Sequence, residues 1–99
     1  MILDPVQDTT TEQLEQVRRR LDQLDDRLVD LIARRAELAR SLGRAKRDAG
    51  LPIVDFAREA AVVRRAATHA RHKGLPEEDV RDIFWDLIAV ARRVQMEER

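Results

Sequence analysis

Arg35 and Lys46 stand eleven residues apart. On an α-helix that interval leaves a net rotation of about 20° and a rise of about 16 Å, so both cations leave the same face. Two long side chains leaning toward each other from those positions can hold opposite ends of one small anion. Arg58, Glu59 and Gln95 can close such a pocket with a further cation, an acid and a neutral amide. Arg18 precedes Arg35 by seventeen residues, about 25 Å along a helix and about 100° around it. Within one chain it cannot share that ligand, but an antiparallel dimer would allow the partner subunit's Arg18 to reach it. The set has no histidine-activated nucleophile. It suits binding a dianion and stabilising a redistribution of its charge, without covalent chemistry.

Each of these residues also has a plainer use. An internal ion pair satisfies Arg35 as well as a ligand does. A solvated face accounts for Arg18, Arg19 and Arg20, and a cation near a helix C-terminus for Lys46. Asp55 reads as an N-cap, a role compatible with a place in the site. Glu59 suits the first turn of a helix, and Gln95 an exposed helix end. His69 and His72 lie three apart with no third ligand in view, so no metal site is expected.

The elements that must position these groups follow from periodicity. Read from Leu14 in steps of three and four, the seam is Leu14, Val17, Leu21, Leu24, Leu28, Leu31, Arg35, Leu38, Leu42 and Ala45, interrupted once by a cation. A period this strict describes one long helix with a buried seam, and an arginine within it needs a partner. Residues 1–10 read as a flexible tail and 11–99 as the folded domain. Thr9, Thr10 and Thr11 offer N-caps, and the helix runs to about Arg47, with Gly43 as its weak point. Asp48-Ala49-Gly50-Leu51-Pro52 breaks it. A second helix follows Asp55, with an apolar stripe of Phe56, Ala60, Val63, Ala67 and Ala70. Lys73-Gly74 ends it, and Leu75-Pro76 with three acids starts a third. That third helix buries Val80, Ile83, Phe84, Leu87, Ile88, Ala91 and Gln95.

A first helix of about 37 residues would be roughly 55 Å long, against a diameter of about 33 Å for a compact chain of this size. A monomer could not cover the seam. The expected architecture is all-α, with three helices per subunit, one long and two shorter, in an intertwined homodimer.

Composition narrows the function classes. Nineteen basic and nineteen acidic residues cancel, and three aromatics are too few for base stacking, so no nucleic-acid partner is expected. There is no cysteine, and seventeen of the nineteen cations are arginine, which makes the retained Lys46 conspicuous. The first residues lack a signal peptide's pattern and no apolar run matches a membrane span, so a cytoplasmic protein is expected.

The runs Leu21-Asp22-Gln23-Leu24-Asp25, Arg34-Arg35-Ala36-Glu37-Leu38-Ala39, Leu42-Gly43-Arg44-Ala45-Lys46 and Pro52-Ile53-Val54-Asp55-Phe56-Ala57-Arg58-Glu59 resemble the all-helical class of chorismate mutase over about residues 14 to 96. The resemblance implies an intertwined dimer whose sites are each completed by an arginine from the other subunit. It implies that Arg18 is that arginine, on one substrate carboxylate, with Arg35 and nearby Arg58 on the other. Lys46 and Gln95 would flank the ether oxygen whose bond breaks, and Asp55 and Glu59 would hold the ring hydroxyl. Where better-known members have a substrate-facing serine, this chain has Ala91. The implied reaction, chorismate to prephenate in phenylalanine and tyrosine biosynthesis, needs no cofactor. Relatives fused to other aromatic-pathway enzymes make such a partner or fusion a further expectation. An isochorismate pyruvate-lyase or an amino-chorismate mutase would use the same pocket, and a non-catalytic helical dimerisation module the same fold.

Overall fold

The computed structural model describes residues 5–97, with side-chain surroundings from Thr9 onward. Three helices make up the described residues: α1 (Pro5–Asp48), α2 (Phe56–His72) and α3 (Glu77–Glu97). Residues 1–4 of the expected tail lie outside the described residues. The first helix starts earlier than its threonines suggest, since Thr9, Thr10 and Thr11 are already helical. Pro5 opens it, where a missing N–H costs nothing because the first-turn donors have no partner within the helix.

Both breaks between helices use the same device. After α1, Gly50 takes a φ of 70°, its N–H bonds Arg47 O at 3.1 Å, and the N–H of Leu51 reaches back to Lys46 O at 2.8 Å. After α2, Gly74 takes a φ of 71°, with Gly74 N to Arg71 O at 3.1 Å and Leu75 N to Ala70 O at 2.9 Å. This crossed pair of bonds satisfies carbonyls that the helix end would leave orphaned, and it needs a residue at ease with positive φ. Pro52 and Pro76 follow two residues later, where the helix cannot resume at once. Asp55 caps α2, its carboxylate accepting from Arg58 N at 3.0 Å.

The chain divides into two compact units, Met1–Ala33 and Arg34–Arg99. In the first, the apolar stripe of α1 stands open: Leu14, Val17, Leu21, Leu24, Leu28 and Leu31 are each 52–59% exposed. In the second, the core is small and rich in alanine, made by Ala39, Val63, Ala66, Ala67, Ala70, Ile88 and Val94 around the buried Gln95. Here the stripe of α1 that packs is Arg35, Ala36, Ala39, Gly43, Lys46 and Arg47, whereas Leu38 and Leu42 remain largely exposed. Small residues govern that choice, because they let α3 come close. A Cβ built on Gly43 would lie 3.0 Å from Gln95 Cβ and Cγ and 3.1 Å from its Cα. Gly43 is thus a point of close approach between α1 and α3. Two other expected core residues are exposed, Phe56 at 73% and Ile83 at 55%. Phe56 sits at the start of α2, and its ring lies under the Arg92 guanidinium instead of in the core.

Candidate active site

Seven of the residues singled out by the sequence (Arg35, Lys46, Asp55, Arg58, Glu59, Ala91 and Gln95) line one cavity of about 240 Å³ within the Arg34–Arg99 unit. The eighth, Arg18, lies in the other unit, bonds Glu15 Oε1 at 3.0 Å and is not among the residues lining the cavity. Arg35 has no carboxylate partner among the described residues. Its Nη1 donates to Leu87 O at 3.4 Å, a weak bond that leaves most of the guanidinium fork free for a ligand.

Lys46 and Gln95 meet on the cavity wall. Lys46 Nζ donates to Ile53 O at 2.7 Å and to Gln95 Oε1 at 3.1 Å. Of the three ammonium protons, two are therefore committed and one is left to meet a ligand. Gln95 Nε2 donates to Ala91 O at 3.0 Å, and Gln95 O accepts from Arg47 Nη1 at 2.7 Å. Only 5% exposed, Gln95 is held by its own helix, by both cations of the last turn of α1 and by the flat face of Gly43. The expectation of an inward Gln95 and the alternative of an exposed helix end are thereby separated: the residue is buried.

The sequence reading passed over Arg92, which also lines the cavity. Arg92 Nε donates to Glu59 Oε2 at 2.7 Å and its Nη2 to Glu59 Oε1. The hydrogen bonds from Arg92, reinforced by its charge and that of Lys46 and opposed by burial, hold the Glu59 carboxyl below its ordinary range. The same pairing raises Arg92. A signal for Arg92 was present in its spacing: it stands one residue after Ala91 and three before Gln95, on the edge of the same helical face. One chain thus surrounds the cavity with the cations Arg35, Lys46, Arg58 and Arg92 and the anions Asp55 and Glu59. The surplus of two positive charges suits a dianion. Arg35 and Arg58 also border a wider cleft of about 620 Å³, together with Arg65, His69 and His72. Among the described residues, no group of three or more His, Asp or Glu side chains is placed to hold a metal ion. No helix among them is long and apolar enough to cross a membrane.

A three-helix chain that gathers four cations and a buried glutamine around one small cavity defines a helical domain built to bind a compact anion. Residues 17–96 match the family chorismate mutase type II, and the chain belongs to that family. It is 39% identical over 83 residues to a 3-dehydroquinate dehydratase of Pyrobaculum aerophilum, covering 84% of this chain and 24% of that protein. It is 32% identical over 87 residues to a 4-amino-4-deoxychorismate mutase of Streptomyces venezuelae, covering 88% of this chain and 84% of the other. A chorismate mutase of Methanocaldococcus jannaschii is 30% identical over 84 residues, with 85% of each chain covered. Among solved structures, a conserved hypothetical protein from Pyrococcus furiosus superposes with a TM-score of 0.69 at 31% identity, over 84% of this chain and 95% of that one. The chain thus spans most of two relatives, and only about a quarter of the dehydratase.

Proposed function

We propose that this chain is a chorismate mutase, an isomerase converting chorismate to prephenate in the cytoplasmic synthesis of aromatic amino acids. The observation that carries the reading is the pairing of Lys46 with a buried, triply anchored Gln95 on the wall of a cavity with a surplus of two positive charges. The rearrangement is concerted. The ether C–O bond breaks as a new C–C bond forms, and the oxygen gains negative charge on the way. Lys46 and Gln95 donate to that oxygen, while Arg35 and Arg58 hold the carboxylates that fold the substrate into its compact conformer. Asp55 and Glu59 face the ring hydroxyl. Ala91 supplies only its backbone, whose carbonyl orients Gln95. No cofactor takes part.

The active species is a homodimer in which the open leucine stripe of α1 is covered by a second copy, and each site receives the partner subunit's Arg18. The exposed stripe supports this, because a contiguous apolar row of that length is a surface for association. A fused or separate enzyme of the same pathway is a further partner, consistent with the small share of the dehydratase that the chain spans.

The deciding experiment follows chorismate by ultraviolet absorbance and identifies the product after acid treatment. Phenylpyruvate supports the mutase. An inert, folded chain overturns it. The second reading, an amino-chorismate mutase, is favoured by the similarity to the Streptomyces venezuelae protein, and the same assay with the amino substrate tests it.

A further inference from the structure

We infer that the Arg92–Glu59 pair is the element that selects a hydroxyl over an amino group on the substrate ring; this rests on the function proposed above. Glu59 is one of the two acids assigned to the ring substituent. Both of its oxygens are engaged by one guanidinium, its side chain is only 13% exposed, and Arg92 is steadied from the other side by the Phe56 ring, 5.5 Å from its centroid. Such a two-pronged pair is geometrically rigid and close to neutral as a unit. Each carboxylate oxygen keeps a lone pair for a further donor. The pair therefore offers a hydrogen-bond acceptor that carries little net charge.

A hydroxyl donates one hydrogen bond and carries no charge, and it matches that surface. A protonated amine is a donor only and carries charge. Of the two acids assigned to the substituent, Glu59 is already neutralised and would add little for it, and the guanidinium beside Glu59 has the same sign as the amine. Without Arg92, Glu59 would be a partly buried anion facing the same substituent, an arrangement that favours the ammonium. Selection here comes from a repulsive element added to an attractive one. Arg92 is a specificity-determining residue, and Glu59 remains a group that touches the substituent.

The test compares kcat/KM for chorismate and for 4-amino-4-deoxychorismate in the wild-type chain and in Arg92→Leu, Arg92→Gln and Arg92→Lys. The wild type is expected to prefer chorismate. In Arg92→Leu the ratio of the two constants should fall about tenfold or more, through gain on the amino substrate as well as loss on chorismate. Arg92→Lys, which keeps the charge but loses the two-pronged grip, should retain only part of the preference, between those of the wild type and Arg92→Leu. Arg92→Gln gives the same reading as Leu should the latter not fold. A residue with a merely structural role would lower both constants together and leave the ratio fixed, and that result overturns the inference. A wild type that prefers the amino substrate overturns it too. A folded wild type inert toward both substrates overturns the proposed function itself, and this inference with it.

Discussion

At the residue scale, the chemistry rests on single donors whose other bonds fix their direction. Lys46 is anchored by the carbonyl of Ile53 and the amide of Gln95, so truncation removes both the charge and the hold on Gln95. Lys46→Ala should lower kcat by about 100- to 1000-fold, the scale of losing one preorganised donor. Circular dichroism should show unchanged helix content, because the side chain is not part of the apolar core. Glu59 sets an acid limit. Its carboxyl ionises below the ordinary value of 4.5 when folded, chiefly through the bonds from Arg92. The pair therefore stabilises the fold above the unfolded value, and that contribution disappears as pH falls through the lower folded one. Melting temperatures taken from about pH 7 down to about pH 3 should drop more steeply for the wild type than for Arg92→Leu. Parallel curves would show that the pair contributes nothing to acid stability. Gln95 has no charge to lose, so turnover should extend through neutral into mildly alkaline pH. A pH–rate profile falling away above mild acidity would instead indicate a required protonated carboxyl.

At the scale of elements, the close approach of α1 to α3 at Gly43 decides where Gln95 sits. Alanine at an exposed helical glycine would gain about 1 kcal/mol of helix propensity. At Gly43 the new Cβ would meet side-chain and backbone atoms of Gln95 at 3.0–3.1 Å. Gln95 has little freedom to retreat, being tied to Lys46, Ala91 and Arg47. Overpacking of this kind costs about 1–3 kcal/mol, so the clash outweighs the propensity gain. Gly43→Ala should lower the melting temperature and reduce kcat more than it raises KM. An equal or higher melting temperature would mean that α3 can shift freely.

At the scale of the molecule, the proposed dimer makes a prediction that neither single substitution could give. Arg18→Ala and Lys46→Ala should each be nearly inactive as homodimers. In a mixed dimer, one of the two sites would combine intact Lys46 from the first chain with intact Arg18 from the second. Mixing, unfolding and refolding the two variants should therefore restore a measurable part of the wild-type rate. No recovery in a sample shown to contain mixed dimers would exclude donation of Arg18 across an interface. Replacing Leu24 and Leu28 together by glutamate should give a monomer by analytical ultracentrifugation, since the open stripe of α1 would then carry charge at its centre.

The three helices were legible from periodicity and from two Gly-Leu-Pro breaks, because backbone geometry is governed by neighbours a few residues away. The shared face of Arg35 and Lys46 was legible for the same reason, as both ride on one helix. Asp55 as a cap was likewise a local property. What only the tertiary structure decided was which of two adjacent stripes of α1 packs: the heptad reading favoured Leu38 and Leu42, whereas the packed stripe runs through Ala39 and Gly43. That outcome depends on how near α3 can come, a matter of side-chain volume on two helices about fifty residues apart. Arg92 escaped notice for a related reason. As one of seventeen arginines, it gave only the weak signal of its place beside Ala91 until folding set it against Glu59, thirty-three residues earlier.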